Sequence, residues 1–351
     1  MIIPIISLAL ILLNLLCKKD RAVFISLWIF MVIVACMNTY NIDWDAYEFM
    51  YGLIDSLEKC NLTDIGYGFL NYIANAKLSL TFFEFRFLFM FVGILILKHI
   101  IKCNSPYPAL VLALYFIAPF FPNDIIQIRN FMAQAILSLF LAKWIESDKN
   151  KVVYLAVGLI LATAMHSTTI YFAIFILLLF IDNDKLLYLI VFIGSLSISS
   201  LPVLLSKIPF IPTEKINFYL GKMSSGIDVR GIVIIIAFAI QLYILYNIKK
   251  YARNTNDKGL IVWSDVVYKM NILCIPACII MTMWTFNFYR VPRDLLLLNY
   301  IVYSKYLYSK KDNKIINSYT CVFIVLGLCW SILNSISQWP VIWNNNAMIR
   351  W

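Results

Sequence analysis

Residues 82–101, FFEFRFLFMFVGILILKHII, decide the fold: every side chain is apolar or glycine except Glu84 and Arg86 at one end and Lys98 and His99 at the other. Twenty such residues are what an α-helix needs to cross the hydrocarbon core of a bilayer. The charges stand where helix ends meet headgroups, and His99 beside Lys98 reads as an interfacial residue. Runs of the same kind recur on both sides, near 2–16, 22–40, 107–121, 125–145, 152–165, 168–181, 186–205, 231–247, 266–284, 291–308 and 315–336. The expected fold class is therefore all-α: a polytopic transmembrane bundle of about twelve spans at roughly 20 residues each, forming one integral membrane domain over 1–351.

Composition agrees. Hydrophobic residues make up 62% of the chain and charged ones 14%, with a mean hydropathy of +0.82, beyond the apolar share of a soluble domain. Residues Met1 to Leu16 are apolar with no preceding basic stretch, and Lys18, Lys19 and Arg21 follow them, which reads as a first span and not as a cleaved leader. Of the eight cysteines, Cys36, Cys274, Cys278 and Cys321 fall inside apolar runs without metal-site spacing to histidine; they read as small apolar fillers. The net charge of +10 is scattered over loops, which argues against a nucleic-acid partner. With the start of the chain outside, the Lys/Arg-bearing loops at 18–21, 98–102, 143–151, 185, 249–258 and 310–314 all fall inside, as the positive-inside rule requires.

Two outer segments are long enough to do more than turn: 41–81, acidic and tyrosine-rich, and 206–230, which holds Pro209 and Pro212. The outer side also gathers ionisable residues that a bilayer makes costly. Arg129 lies about one turn inside its span, in Asn123-Asp-Ile-Ile-Gln-Ile-Arg-Asn130; Arg290 and Arg293 bracket Pro292; His166 opens a third span in Ala164-Met-His-Ser-Thr-Thr169. All three spans present helix N-termini outward, with Asn123 or Asp124 and Ser167 or Thr168 as expected caps, a setting that favours an anion. Arginine adds a fork of donors suited to phosphate oxygens. The competing reading has each arginine snorkelling to headgroups and His166 as a hydrogen-bonded interior residue. For Arg129 the recurrence of Gln127, Asn130 and Gln134 favours a polar stripe facing a cavity. In the first outer segment, Asp43 and Asp45 are candidate general bases and Trp44, Tyr47 and Tyr51 candidate sugar-stacking rings, against the alternative of a solvated loop.

These residues resemble the polysaccharide repeat-unit polymerases of the Wzy/EpsG type, which build bacterial O-antigen, capsule and exopolysaccharide. The likeness is carried by Asp43, Tyr47 and Tyr51, the Gly66-Tyr-Gly stretch, Ile128-Arg-Asn-Phe-Met-Ala133 and Leu161-Ala-Thr-Ala-Met-His-Ser167, and is looser around Arg290 and Arg293. Asn130 stands where the family commonly has glutamine. The resemblance implies a GT-C-like membrane glycosyltransferase at the outer face of the bacterial cytoplasmic membrane, acting on undecaprenyl-pyrophosphate-linked oligosaccharides with no cofactor or metal. It assigns Arg129, Arg290 and Arg293 to the pyrophosphate and Asp43, Asp45 or His166 to the acceptor hydroxyl, and it brings the expectation of a chain-length-regulating partner. An O-antigen ligase, or a flippase of lipid-linked sugars, is the rival reading. A ligase would carry a larger late outer loop, and a flippase charges near mid-membrane.

Overall fold

The computed structural model describes residues 2–117, 120–147, 149–200, 229–283, 286–311, 317–334 and 338–348. In chain order the α-helices are α1 (Ile2–Leu16), α2 (Arg21–Cys36), α3 (Trp44–Leu53), α4 (Ile65–Tyr72), α5 (Phe82–Asn104), α6 (Pro108–Ile117), α7 (Phe120–Ile126), α8 (Ile128–Glu146), α9 (Lys151–Met165), α10 (Asp184–Leu196), α11 (Val229–Thr255), α12 (Lys258–Leu273), α13 (Ile275–Met283), α14 (Arg290–Asp294), α15 (Leu296–Ser309), α16 (Ser318–Asn334) and α17 (Gln338–Asn344). No strand occurs among the described residues; the one extended pairing is an isolated bridge between Asn38 and Asn346. The residues divide into two compact units, Met1–Ala173 with Tyr300–Trp351, and Ile174–Asn299.

Local chemistry sets the helix starts. Asp20 accepts the Val23 N–H at 2.9 Å, and Asp257 accepts that of Leu260 at 3.1 Å. Thr81 and Glu84 form a reciprocal capping box, with the Thr81 N–H donating to Glu84 at 2.8 Å, which fixes where α5 begins. Among the described residues, three helical stretches are individually long and apolar enough to cross a membrane: Phe82–Asn104, Gly231–Thr255 and Lys258–Thr282. Six shorter apolar helices accompany them, including Arg21–Cys36, Lys151–Met165 and Ser167–Leu179. Among its described residues the protein is thus an all-helical membrane protein with three full-length candidate spans.

Several boundaries differ from the sequence reading. The span expected at 266–284 starts eight residues earlier, at Lys258. Asp265, outside the expected span, therefore lies within the helix, where it pairs with Lys269 and with Lys249 of α11. The expected caps Asn123 and Asp124 belong to the separate short α7, where the Asp124 carboxylate accepts the Tyr115 hydroxyl at 2.5 Å; α8 starts after Gln127. His166 ends α9 in an extended conformation, and a 3-10 helix, Ser167–Leu179, follows where an α-helix was expected. The outer segment 41–81 is largely helical, comprising α3, a 3-10 turn at Leu57–Leu62, α4 and a π-helical turn at Ile73–Lys77. Segment 206–230 falls almost wholly outside the described residues.

Arg86 positions this outer segment. It is 1% exposed and meets carbonyls: Nη1 donates to Ala35 and Asn38 at 3.0 and 2.9 Å, and Nη2 to Ile125 at 3.0 Å. Ala35 and Ile125 lie in the last turns of α2 and α7, whose negative dipole ends favour a cation there. The guanidinium also lies 5.5 Å from the Trp44 ring. The end of the chain reinforces the knot: Asn346 Nδ2 donates to the Ile33 and Val34 carbonyls, and the Ala347 N–H to Met37.

Candidate active site

The site is built on Asp64, the residue that precedes α4. Its backbone is extended and its carboxylate makes no cap bond to its own helix; it turns instead toward α8 and α9. Arg129, in the first turn of α8, donates through Nη1 to Asp64 Oδ2 at 3.0 Å and to Thr63 Oγ1 at 2.6 Å. His166 Nδ1 lies 3.1 Å from the same Oδ2, and the Ser167 N–H donates to Oδ1 at 3.0 Å. One carboxylate thereby joins three elements that are far apart in sequence.

Close packing makes this possible. A Cβ on Gly66 would stand 2.9 Å from the Ala164 carbonyl oxygen, and one on Gly68 would stand 2.1 Å from that of Cys60. Only a residue without a side chain lets α4 lie this close to the end of α9 and to the preceding turn. Tyr67, between the two glycines, is buried and reaches Phe85 and Phe89 of α5 edge-on. Tyr47 and Tyr67, 6.1 Å apart, flank the Arg129 guanidinium at 5.5 and 5.7 Å, adding cation–π attraction to the ion pair.

The electrostatics follow from these contacts. Burial alone would raise the Asp64 carboxyl, but the His166 hydrogen bond and charge, the Arg129 charge and the Ser167 N–H together hold it below the ordinary carboxylate range. Asp64 is therefore ionised at neutral pH. An ionised carboxylate only accepts, so Nδ1 of His166 carries a proton and donates it to Oδ2, an assignment made from the hydrogen-bond network. Proton exchange by the ring then runs through Nε2. Side-chain exposures are 29% for Arg129, 12% for His166 and 11% for Asp64, so the cluster borders on solvent and is largely desolvated. Among the described residues the buried Arg129 Nε–H meets no acceptor, and the remaining exposure of the side chain gives an anion access to the guanidinium. A proton acceptor on an oriented histidine beside an arginine suits transfer to a hydroxyl with an anionic leaving group.

The other residues singled out from the sequence sit differently. Asp45 is exposed and accepts the Tyr40 hydroxyl at 3.2 Å; Asp43 is half-buried at the start of α3, where its N–H donates to Asn41. Trp44 packs edge-on against Phe82 and donates to Glu48, so its ring is taken up by the protein. Tyr51 stacks on Phe85 and donates its hydroxyl to the Leu80 carbonyl at 2.7 Å; burial, and after it Glu84, push that hydroxyl up to about 12, so it remains a neutral donor. Tyr47 lies against Arg129 itself. Arg290 and Arg293 belong to the second unit. There Arg293 is buried, with Nε 3.2 Å from Asp294 Oδ1 and its guanidinium over the Tyr289 ring.

Asp64 and Thr63 are the members that the sequence reading missed. The available signal was local: an aspartate two residues before the Gly66-Tyr-Gly stretch.

The model of the EpsG family matches residues 21–344, and the chain belongs to the EpsG family. The match spans both units and every residue of the Asp64 cluster, and the family suggests a polymerase-type role in polysaccharide biosynthesis. No curated protein and no solved structure matches the chain.

Proposed function

We propose that the protein is a membrane glycosyltransferase of GT-C-like architecture, with about twelve spans by the roughly 20-residue measure of a crossing. It joins undecaprenyl-pyrophosphate-linked oligosaccharide repeat units into a surface polysaccharide at the outer face of the bacterial cytoplasmic membrane. The observation that carries this reading is Asp64 holding both Arg129 and His166 at its Oδ2. The hydroxyl oxygen of the acceptor's terminal sugar attacks the anomeric carbon of the donor glycan. Its proton passes to His166 Nε2 while the bond from that carbon to the pyrophosphate oxygen breaks. The electron pair leaves with the lipid pyrophosphate, where Arg129 stabilises the developing charge. The imidazolium so formed lies against Asp64, which stabilises it, and releases its proton once product leaves. Arg290 and Arg293, assigned to the pyrophosphate by resemblance, remain a second group to test; the Arg293–Asp294 pair lowers the net charge available there.

The test is to express Arg129→Ala and His166→Ala in a polymerase-null strain and to resolve its surface glycan by length. Loss of the base is expected to slow chain growth by about 10²- to 10⁴-fold, leaving single repeat units. Full-length ladders from both variants would sink the assignment. A complete absence of attached glycan in the null strain itself would favour ligation over polymerisation.

A further inference from the structure

The outer segment has a surface that the reaction does not use. Phe49 and Leu53 of α3, Leu57 and Leu62 of the following turn, and Ile65 and Phe69 of α4 are all exposed, with Phe49 and Ile65 at 67%. In each helix the pair is spaced four residues apart, so each presents one apolar face outward. The opposite faces are buried, through Trp44 and Tyr51 in α3 and through Tyr67, Gly68 and Asn71 in α4. Other exposed positions of the segment carry Asp45, Glu48, Asp55, Glu58 and Lys59. Large side chains turned outward beside charged ones are the pattern of an element lying in a membrane interface, not of a loop standing in water.

What covers the apolar face follows from where the segment is anchored. It leaves α2 at Cys36 and returns into α5 at Phe82, both of them apolar helices of the membrane. Within the same unit, exposed apolar side chains also stand along α5 in Leu88, Val92 and Leu95, and past His166 in Ile170. We infer that α3 and α4 lie at the outer-leaflet interface with Phe49, Leu53, Ile65 and Phe69 among lipid acyl chains, making α4 one side of a lateral mouth through which a lipid-borne phosphate reaches Arg129. Asp64 adjoins Ile65 directly, so the polar cluster and the lipid-facing surface are one residue apart. The immersion of the helices stands on exposure and anchoring alone; the lateral route rests on the function proposed above.

The experiment uses the full-length protein in phospholipid nanodiscs, with its other reactive cysteines replaced by serine and an environment-sensitive fluorophore on Phe49→Cys, Ile65→Cys or Phe69→Cys. Asp45→Cys and Glu58→Cys serve as water-facing controls. The expected result is quenching by shallow nitroxide-labelled phospholipid several-fold stronger at 49, 65 and 69 than at the controls, with aqueous iodide giving the reverse order. Equal iodide quenching at all five positions overturns the proposal. Protection of 49 and 69 from both quenchers also overturns it and assigns the face to a protein partner. The route has its own readout: Phe69→Glu is expected to slow polymerisation of a long-chain lipid-linked repeat unit several-fold and to spare a short-chain, water-soluble analogue. Equal loss on both substrates overturns the lateral route, whereas loss of function with lipid quenching intact faults the proposed reaction and not the immersion.

Discussion

In the first unit Asp64 stands between Arg129 and His166; in the second, Asp184 and Asp265 stand among Lys249, Lys269 and Arg253. The second cluster is saturated. Lys249 reaches both carboxylates, at 2.7 and 2.8 Å, Lys269 reaches Asp265 at 2.8 Å and donates to the Asp182 carbonyl at 3.0 Å, and Arg253 approaches Asp265 at 3.1 Å. It ties α10, α11 and α12 together with carboxylates shared between cations, as charges in a low-dielectric setting require. The Asp64 cluster keeps an arginine Nε–H that meets no acceptor among the described residues, and it orients a histidine through Nδ1. The difference separates charges that hold helices from charges arranged to act.

Breaking the comparison begins with Asp64→Asn. It keeps the shape of the residue and removes the charge that stabilises the imidazolium, so polymerisation measured from synthetic lipid-linked repeat units should fall by about 100-fold or more while protein yield holds. Lys249→Met should do the opposite. Two carboxylates lose their shared cation at a cost of about 3 kcal/mol, the lower end for a buried pair because both remain partly exposed; thermal stability in detergent should drop while activity per folded molecule stays. Gly68→Ala should have an intermediate, mixed effect. Its Cβ would meet the Cys60 carbonyl at 2.1 Å, and the forced shift of α4, worth about 2 kcal/mol of overpacking, should lower both melting temperature and activity by moving Asp64.

The smallest effect is on pH. The Asp64 carboxyl is lowered in the folded state from its ordinary 3.8, so its contribution to stability is fully present above that value and is lost as pH falls through the lower folded value. Hydrogen exchange along α4 should accelerate in acid beyond the intrinsic rate change, and Asp64→Asn should remove that extra sensitivity.

Much of this architecture was legible in the sequence. Residues 82–101 mark their helix unaided, because twenty apolar side chains have one economical home. Arg129, His166 and the Gly66-Tyr-Gly stretch stood out because charge inside an apolar run, and paired glycines beside an aromatic, are physically unusual. Asp64 did not stand out, since an aspartate in an acidic outer segment is ordinary until the fold brings residues 129 and 166 to it. Asp265 fell just outside the span expected at 266–284, and Lys269 stood alone inside it, for a related reason. Their charges look prohibitive within a span until Asp184 and Lys249 arrive from neighbouring helices. Sequence spacing records periodicity within one element, whereas these contacts depend on how elements pack.

The claim that Asp64 and His166 act as one unit can be measured through the rate of glycosidic bond formation in wild type, Asp64→Ala, His166→Ala and the double variant, all in nanodiscs at matched protein levels. Residues that work through each other are non-additive. The account predicts that the double variant is no slower than His166→Ala alone; rate losses that multiply, or an Asp64→Ala variant as fast as wild type, would contradict it.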